Sequence, residues 1–282
     1  MTNEFELPQA RATGVTGNGT SWSLFGHNEK SSDVIVLIHG VGMSQAFWAP
    51  QIHGLLNNYC VLTYDMWGHG ATIVNSEATA LPDFAAQLIA LLDELHISQA
   101  HVVGHSLGAL VAIECATRYP QRCVSLVALN AVFQRTDEQR APVLRRAHAL
   151  VVDGVMNIDQ TLDRWFEDNR ENGISEGEQL SRRLLESVNA SGYANAYMVF
   201  ATAEDQDGTR LSQISIPALF ATGDADPNST PEMSHAMSQL VPDGRCVVLG
   251  EQRHMMSLTA PIVVTEMIRQ TVSQQDLLGS DS

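Results

Sequence analysis

Ala100-His101-Val102-Val103-Gly104-His105-Ser106-Leu107-Gly108 is the stretch whose reading decides the fold. An apolar run of strand length ends in a G-x-S-x-G turn, and beyond it Leu107, Leu110, Val111 and Cys115 fall at helical spacing. A strand that turns this sharply into a helix holds the serine hydroxyl above the sheet. The turn brings backbones close, so the positions two before and two after the serine must be small; both are glycine. Ser106 is therefore a candidate nucleophile. The competing reading is an ordinary strand-to-helix turn with a helix-capping serine.

Further apolar runs of strand length occupy 33–38, 60–64, 124–129, 217–221 and 245–249. Continuous runs fit strands covered on both faces, as in a parallel sheet. Helical patterns separate them, the clearest placing Phe84, Leu88, Leu91, Leu92 and Leu95 on one face behind Pro82 and Asp83. This alternation predicts an α/β protein with an open, mostly parallel sheet flanked by helices. Residues 21–26 are expected as an antiparallel edge strand. One interval breaks the order: 135–213 has no strand-like run, is helical in period, and carries Trp165, Phe166, Tyr193, Tyr197 and Phe200. A simple crossover rarely needs so many residues. The interval is read as a helical insertion over the strand ends, giving a core of 1–134 and 214–282 and a lid of 135–213. The polar residues 273–282 predict a disordered end.

With 282 residues, 44% hydrophobic and 17% charged, the composition is that of a globular protein. No apolar stretch approaches the roughly 20 residues of a membrane helix. A formal net charge of -16 argues against nucleic acid and against a membrane surface as partners. The acidic opening Met1-Thr2-Asn3-Glu4-Phe5-Glu6 lacks the order of a signal peptide, so a cytoplasmic location is expected. Cys60, Cys115, Cys123 and Cys246 show no C-x-x-C spacing and read as buried thiols.

Four motifs in a fixed order carry a resemblance. Ile38-His39-Gly40-Val41-Gly42 follows a strand, and Asp65-Met66-Trp67-Gly68-His69-Gly70 follows the next. The G-x-S-x-G turn comes third; Gly223-Asp224-Ala225-Asp226 and then His254 follow the last two strands. Over about residues 20–275 the chain resembles an α/β-hydrolase-fold enzyme with a helical lid, and the order Ser, Asp, His is the one that fold uses. The resemblance implies that Ser106 attacks a carbonyl, His254 takes and returns its proton, and Asp226 fixes the imidazole tautomer. It places the oxyanion donors at the Val41 and Leu107 N–H groups, with Gly42 as the fallback, each worth roughly 2.7–4 kcal/mol. His39, Gly40, Gly42, Trp165 and Arg253 are the expected substrate contacts. His39 and His69 are also expected to fix loops, and Asp65 to bond loop amides. His105 competes with His254 as base, and Asp224 with Asp226 as acid. Asn130 stands where some relatives carry the acid and cannot hold that charge. Many relatives have glycine before the histidine, whereas this chain has Arg253, which either reaches solvent or lies near the site.

A serine at the elbow sets aside the dehalogenases and epoxide hydrolases of this fold, which use aspartate. The segment from His39 to Trp48 is similar to the H-G-x-G…W pattern of bacterial ester, lactone and carbon–carbon bond hydrolases of aromatic breakdown. Half of the chain's 16 positive charges are arginines within 135–183: Arg135, Arg140, Arg145, Arg146, Arg164, Arg170, Arg182 and Arg183. Either they clamp a substrate carboxylate or they form ion pairs on helix surfaces. The expected partner is a small-molecule substrate, the candidate assembly a homodimer. No cofactor and no metal are implied. Acyl transfer, perhydrolysis, cofactor-free oxygen chemistry and a non-catalytic small-molecule receptor are the competing readings on the same fold.

Overall fold

The computed structural model describes residues 3–26, 34–154, 157–167, 174–203 and 208–279. Met1, Thr2, Asp33, Arg170 and 280–282, which entered the sequence reading, lie outside them.

The chain runs β1 (Ala12–Val15), β2 (Ser21–Phe25), β3 (Val34–Ile38), α1 (Ala49–Leu55), β4 (Cys60–Tyr64), α2 (Leu81–Glu94), β5 (Ala100–His105), α3 (Leu107–Arg118) and β6 (Cys123–Leu129). Among the described residues, four helices and no strand follow: α4 (Asp137–Asp153), α5 (Ile158–Phe166), α6 (Glu176–Ser187) and α7 (Ala190–Thr202). The chain then returns through β7 (Ala218–Gly223), α8 (Pro231–Leu240), β8 (Gly244–Leu249), α9 (Met256–Thr259) and α10 (Pro261–Gly279).

The eight strands form one sheet in the order β1-β2-β4-β3-β5-β6-β7-β8. β1 and β2 are antiparallel to their neighbours, and the rest are parallel. Every residue of β3, β4, β5 and β7 is buried, which explains their unbroken apolar runs. Strand 21–26 is antiparallel as expected but is not the edge; β1 lies outside it. β1 is four residues long, half-covered, and has no apolar run to announce it. The end of the chain also differs from expectation, because α10 continues through Gly279.

β4 lies on one side of β3 and β5 on the other. The strand order therefore reverses between β3 and β5, and the loops leaving their C-terminal ends part to open a crevice. Those loops carry His39-Gly40-Val41 and Ser106.

Local signals start the four helices α4–α7. Thr136, Asn157, Ser175 and Asn189 each accept a backbone N–H from the first turn of α4, α5, α6 and α7. α4 packs on α7, and α5 on α6. Arg135, just before α4, is tied to the end of α7: its Nη2 donates to the carbonyls of Phe200 (3.0 Å) and Ala201 (3.2 Å), with the guanidinium over the Phe200 ring. Among the described residues no helix is long and apolar enough to cross a membrane.

Candidate active site

Ser106 sits between β5 and α3 with φ 57° and ψ -117°, a conformation that costs energy in a non-glycine residue. The surroundings enforce it. A Cβ at Gly104 would stand 2.0 Å from the Gly108 carbonyl oxygen, and one at Gly108 2.2 Å from that of Ile38. The Ser106 N–H donates to Leu129 O at 2.9 Å. Its side chain makes no helix-capping bond, which removes the competing reading of the turn. The hydroxyl instead faces His254, with Oγ 3.1 Å from Nε2. On the other side of the ring, His254 Nδ1 lies 2.8 Å from Asp226 Oδ2. A carboxylate only accepts, so Nδ1 carries the proton and Nε2 is the free acceptor facing the serine. Three residues separated by up to 148 positions form one chain of hydrogen bonds.

Asp226 is buried, which by itself raises its pKa, but its partners outweigh that and hold it at about 2. They are His254, the Ser229 hydroxyl and the Asn228 N–H (2.9 Å to Oδ1). Asn130 Nδ2 adds a further bond at 2.9 Å to Oδ2. Asn130 thus stands beside Asp226 and donates to it, a role its residue type did not announce. Ser229 was not singled out in the sequence; its position three residues past Asp226 was the available signal. Asp224, the rival acid, is exposed.

The His39 ring spans two loops: Nδ1 donates to Gly40 O (2.7 Å), and Nε2 accepts the Met66 N–H (3.0 Å). His69 does the same, donating to Trp67 O (3.0 Å) and accepting the Gly42 N–H (2.9 Å). Burial lowers their pKa values to about 4 and about 3, so both remain neutral and keep the lone pair each needs. Asp65 accepts from Gln45 N (2.8 Å), Gln45 Nε2 and Ala71 N (both 3.0 Å), fixing the same loops. Two expected substrate contacts are corrected here. His39 does not line the cavity, because both ring nitrogens are spent on backbone. Gly42 is packed under Leu185 and Tyr193, and its N–H is committed to His69, so it is no fallback oxyanion donor. Val41 lines the cavity beside Ser106. Leu107 is the first residue of α3, where helix N–H groups have no partner within the helix.

The cavity has Gly40, Val41, His105, Ser106 and His254 as its floor. Its roof comes from three helices: Arg146 of α4, Thr161, Arg164 and Trp165 of α5, and Tyr193, Tyr197 and Phe200 of α7. The Trp165 ring stacks near His254, with centroids 6.1 Å apart and planes at 27°. Arg146 Nη1 donates to the Tyr197 hydroxyl (2.9 Å), and Arg164 Nη2 to the Thr161 hydroxyl (3.0 Å). Burial and then the neighbouring Arg146 charge lower the pKa of Arg164. Two mutually repelling guanidiniums therefore share a roof with phenols and hydroxyls, an arrangement suited to an anion. Arg253 does not line the cavity. It turns towards the end of α5, 3.4 Å from Arg164 O and 3.8 Å from Glu167 Oε2. Sequence spacing could not separate Arg146 and Arg164 from the other arginines, because only helix orientation decides which ones face inward.

Residues 35–266 match the model of the alpha/beta hydrolase family. The (E)-2-((N-methylformamido)methylene)succinate hydrolase of Acinetobacter baylyi is 37% identical over 239 residues, 83% of this chain and 88% of that protein. The 3-oxoadipate enol-lactonase 1 of the same organism is 29% identical over 244 residues, 86% of this chain and 90% of that one. Among solved structures, the enol-lactonase from Burkholderia xenovorans superposes with a TM-score of 0.80 at 24% identity, covering 91% of this chain and 98% of that one. A hydrolase from Pseudomonas aeruginosa superposes with a TM-score of 0.81, also at 24% identity, covering 93% and 97%. Sheet order, strained serine turn and family match agree: the chain belongs to the alpha/beta hydrolase family of enzymes.

Proposed function

We propose that the protein is a serine hydrolase that cleaves an ester, a lactone or a carbon–carbon bond next to a carbonyl in a small, carboxylate-bearing molecule. The observation that carries this reading is the hydrogen-bonded chain Ser106–His254–Asp226, at 3.1 and 2.8 Å. For an ester, Ser106 Oγ adds to the carbonyl carbon as His254 Nε2 takes its proton. Asp226 stabilises the imidazolium, and the Val41 and Leu107 N–H groups receive the negative charge on the carbonyl oxygen. His254 returns the proton to the leaving oxygen as the acyl–oxygen bond breaks. Water then adds to the acyl-serine with His254 again as base, releasing a carboxylic acid and restoring Ser106.

Helices α4–α7 act as a lid that orients the substrate and excludes water. Two observations support a carboxylate on the substrate: Arg146 and Arg164 in the roof, and relatives named for a succinate and an oxoadipate derivative. The four cysteines, all free, fit the reducing cytoplasm in which we place the enzyme.

The test is intact-protein mass spectrometry after mixing with a fluorophosphonate. One adduct is expected on the wild type, none on Ser106→Ala, and a much slower one on His254→Ala. Screening of esters and lactones with and without a carboxylate follows. A folded wild type that forms no adduct refutes the proposal.

A further inference from the structure

We propose that His105 is a positioning residue for His254: it holds the His254 backbone so that the ring reaches Ser106. The inference rests on the serine-hydrolase reading above.

His105 Nε2 lies 2.8 Å from the His254 carbonyl oxygen. A carbonyl only accepts, so Nε2 carries the proton and Nδ1 the lone pair. This bond closes a ring of constraints. The His105 side chain fixes the His254 backbone, the His254 side chain meets Ser106 Oγ, and one peptide bond joins Ser106 to His105. The serine–base distance is thereby set by a short covalent and hydrogen-bonded circuit. Without it, that distance depends on the long path through the sheet. His254 needs such support because it lies in the connection between β8 and α9, outside regular structure.

The His105 ring is itself held firmly. It packs against Phe47 (centroids 4.8 Å) on one side and His254 (5.0 Å) on the other. A Cβ on Gly40 would stand 3.1 Å from His105 Nδ1 and 3.1 Å from Ser106 Cβ, so the glycine leaves room for both residues. Nδ1 is buried and has no hydrogen-bond partner among the described residues, a cost that a ring kept only for packing would not need to bear. Burial, and then the neighbouring His254, lower the His105 pKa to about 3. His105 therefore stays a neutral donor when His254 becomes an imidazolium, and the proton does not pass to it.

The experiment is the rate of Ser106 labelling by the neutral fluorophosphonate, with urea unfolding of each variant alongside. His105→Leu leaves the His254 carbonyl without a donor and is expected to label about 100-fold more slowly, the scale of a misplacement of about 1 Å. His105→Gln, long enough to present an N–H to the same oxygen, is expected to recover to within about tenfold of wild type. Packing alone does not predict that rescue. Equal rates for the Leu and Gln variants, or a Leu variant as fast as wild type, overturn the proposal. If His105→Leu does not fold, His105→Asn, too short to reach the carbonyl, takes its place in the same comparison with Gln. A wild type that fails to label refutes the serine-hydrolase reading instead, so the two failures are distinguishable.

Discussion

Asn130→Asp tests the electrostatics of the acid. Asn130 directly follows β6 with φ 52°, and its Nδ2 donates to Asp226 Oδ2 at 2.9 Å. Aspartate has nearly the same shape and tolerates left-handed backbone, so the substitution changes charge and little else. At about 3 Å and an effective dielectric constant of about 20, two carboxylates repel by about 6 kcal/mol, or roughly four pKa units. The new carboxyl should therefore titrate near pH 8 in the folded protein, against about 4 when unfolded. A group whose folded pKa is raised favours folding below the unfolded pKa and loses that contribution as pH climbs to the folded one. The variant should thus fall behind wild type by about 1.4 kcal/mol for each pH unit from about 4 to 8. By pH 7 the deficit should exceed its pH 4 value by about 4 kcal/mol. Wild-type Asp226, held at about 2, stays ionised across this window. Urea unfolding of both proteins at pH 4, 5, 6, 7 and 8 measures the difference directly. A deficit that does not change with pH, or that is largest at pH 4, refutes the reasoning.

Three further outcomes follow from the same geometry. Asp226→Asn should slow Ser106 labelling by about 10³–10⁴-fold, because an amide neither fixes the Nδ1–H tautomer nor stabilises the imidazolium; a loss below tenfold in a folded variant counts against Asp226 as the acid. Gly192 of α7 meets the Gly68 loop backbone to backbone, and a Cβ there would stand 2.3 Å from Gly68 O. Gly192→Ala should therefore cost about 1–3 kcal/mol in urea unfolding as α7 is pushed off the loop, and an unchanged midpoint would show that the loop yields freely. Arg164→Gln should raise KM about tenfold, or about 1.4 kcal/mol, for a carboxylate-bearing ester. Its effect on the corresponding neutral methyl ester should be much smaller, and equal effects on both would argue against a roof that binds the carboxylate.

Local signals announced most of the architecture. The strands covered on both faces left unbroken apolar runs, and helices α4–α7 each carry a capping residue. The motif order pointed to Ser106, His254 and Asp226, which the fold joins by hydrogen bonds. The misses have physical causes. β1 is short, half-exposed and paired on one side only, so its residues show no pattern. The polar end of α10 is a helix that composition alone read as disorder. His39 and Gly42 belong to a motif and Arg253 adjoins His254, yet hydrogen bonds and packing turn each away from the cavity.

What the sequence by itself determined is whatever depends on neighbours along the chain. The sharp serine turn needs Gly104 and Gly108, the parallel strands need continuous apolar runs, and the long interval without a strand-like run reads as the helices α4–α7. What only the tertiary structure decided is whatever depends on residues far apart in sequence. Ser106 meets His254 across 148 positions, Asn130 meets Asp226 across 96, and His105 meets the His254 carbonyl across 149. Arg146 and Arg164 face the cavity while Arg253 turns to the end of α5. These pairings are set by the order of strands in the sheet and the rotation of each helix on it. The sum of long-range packing fixes both, and no local pattern encodes them.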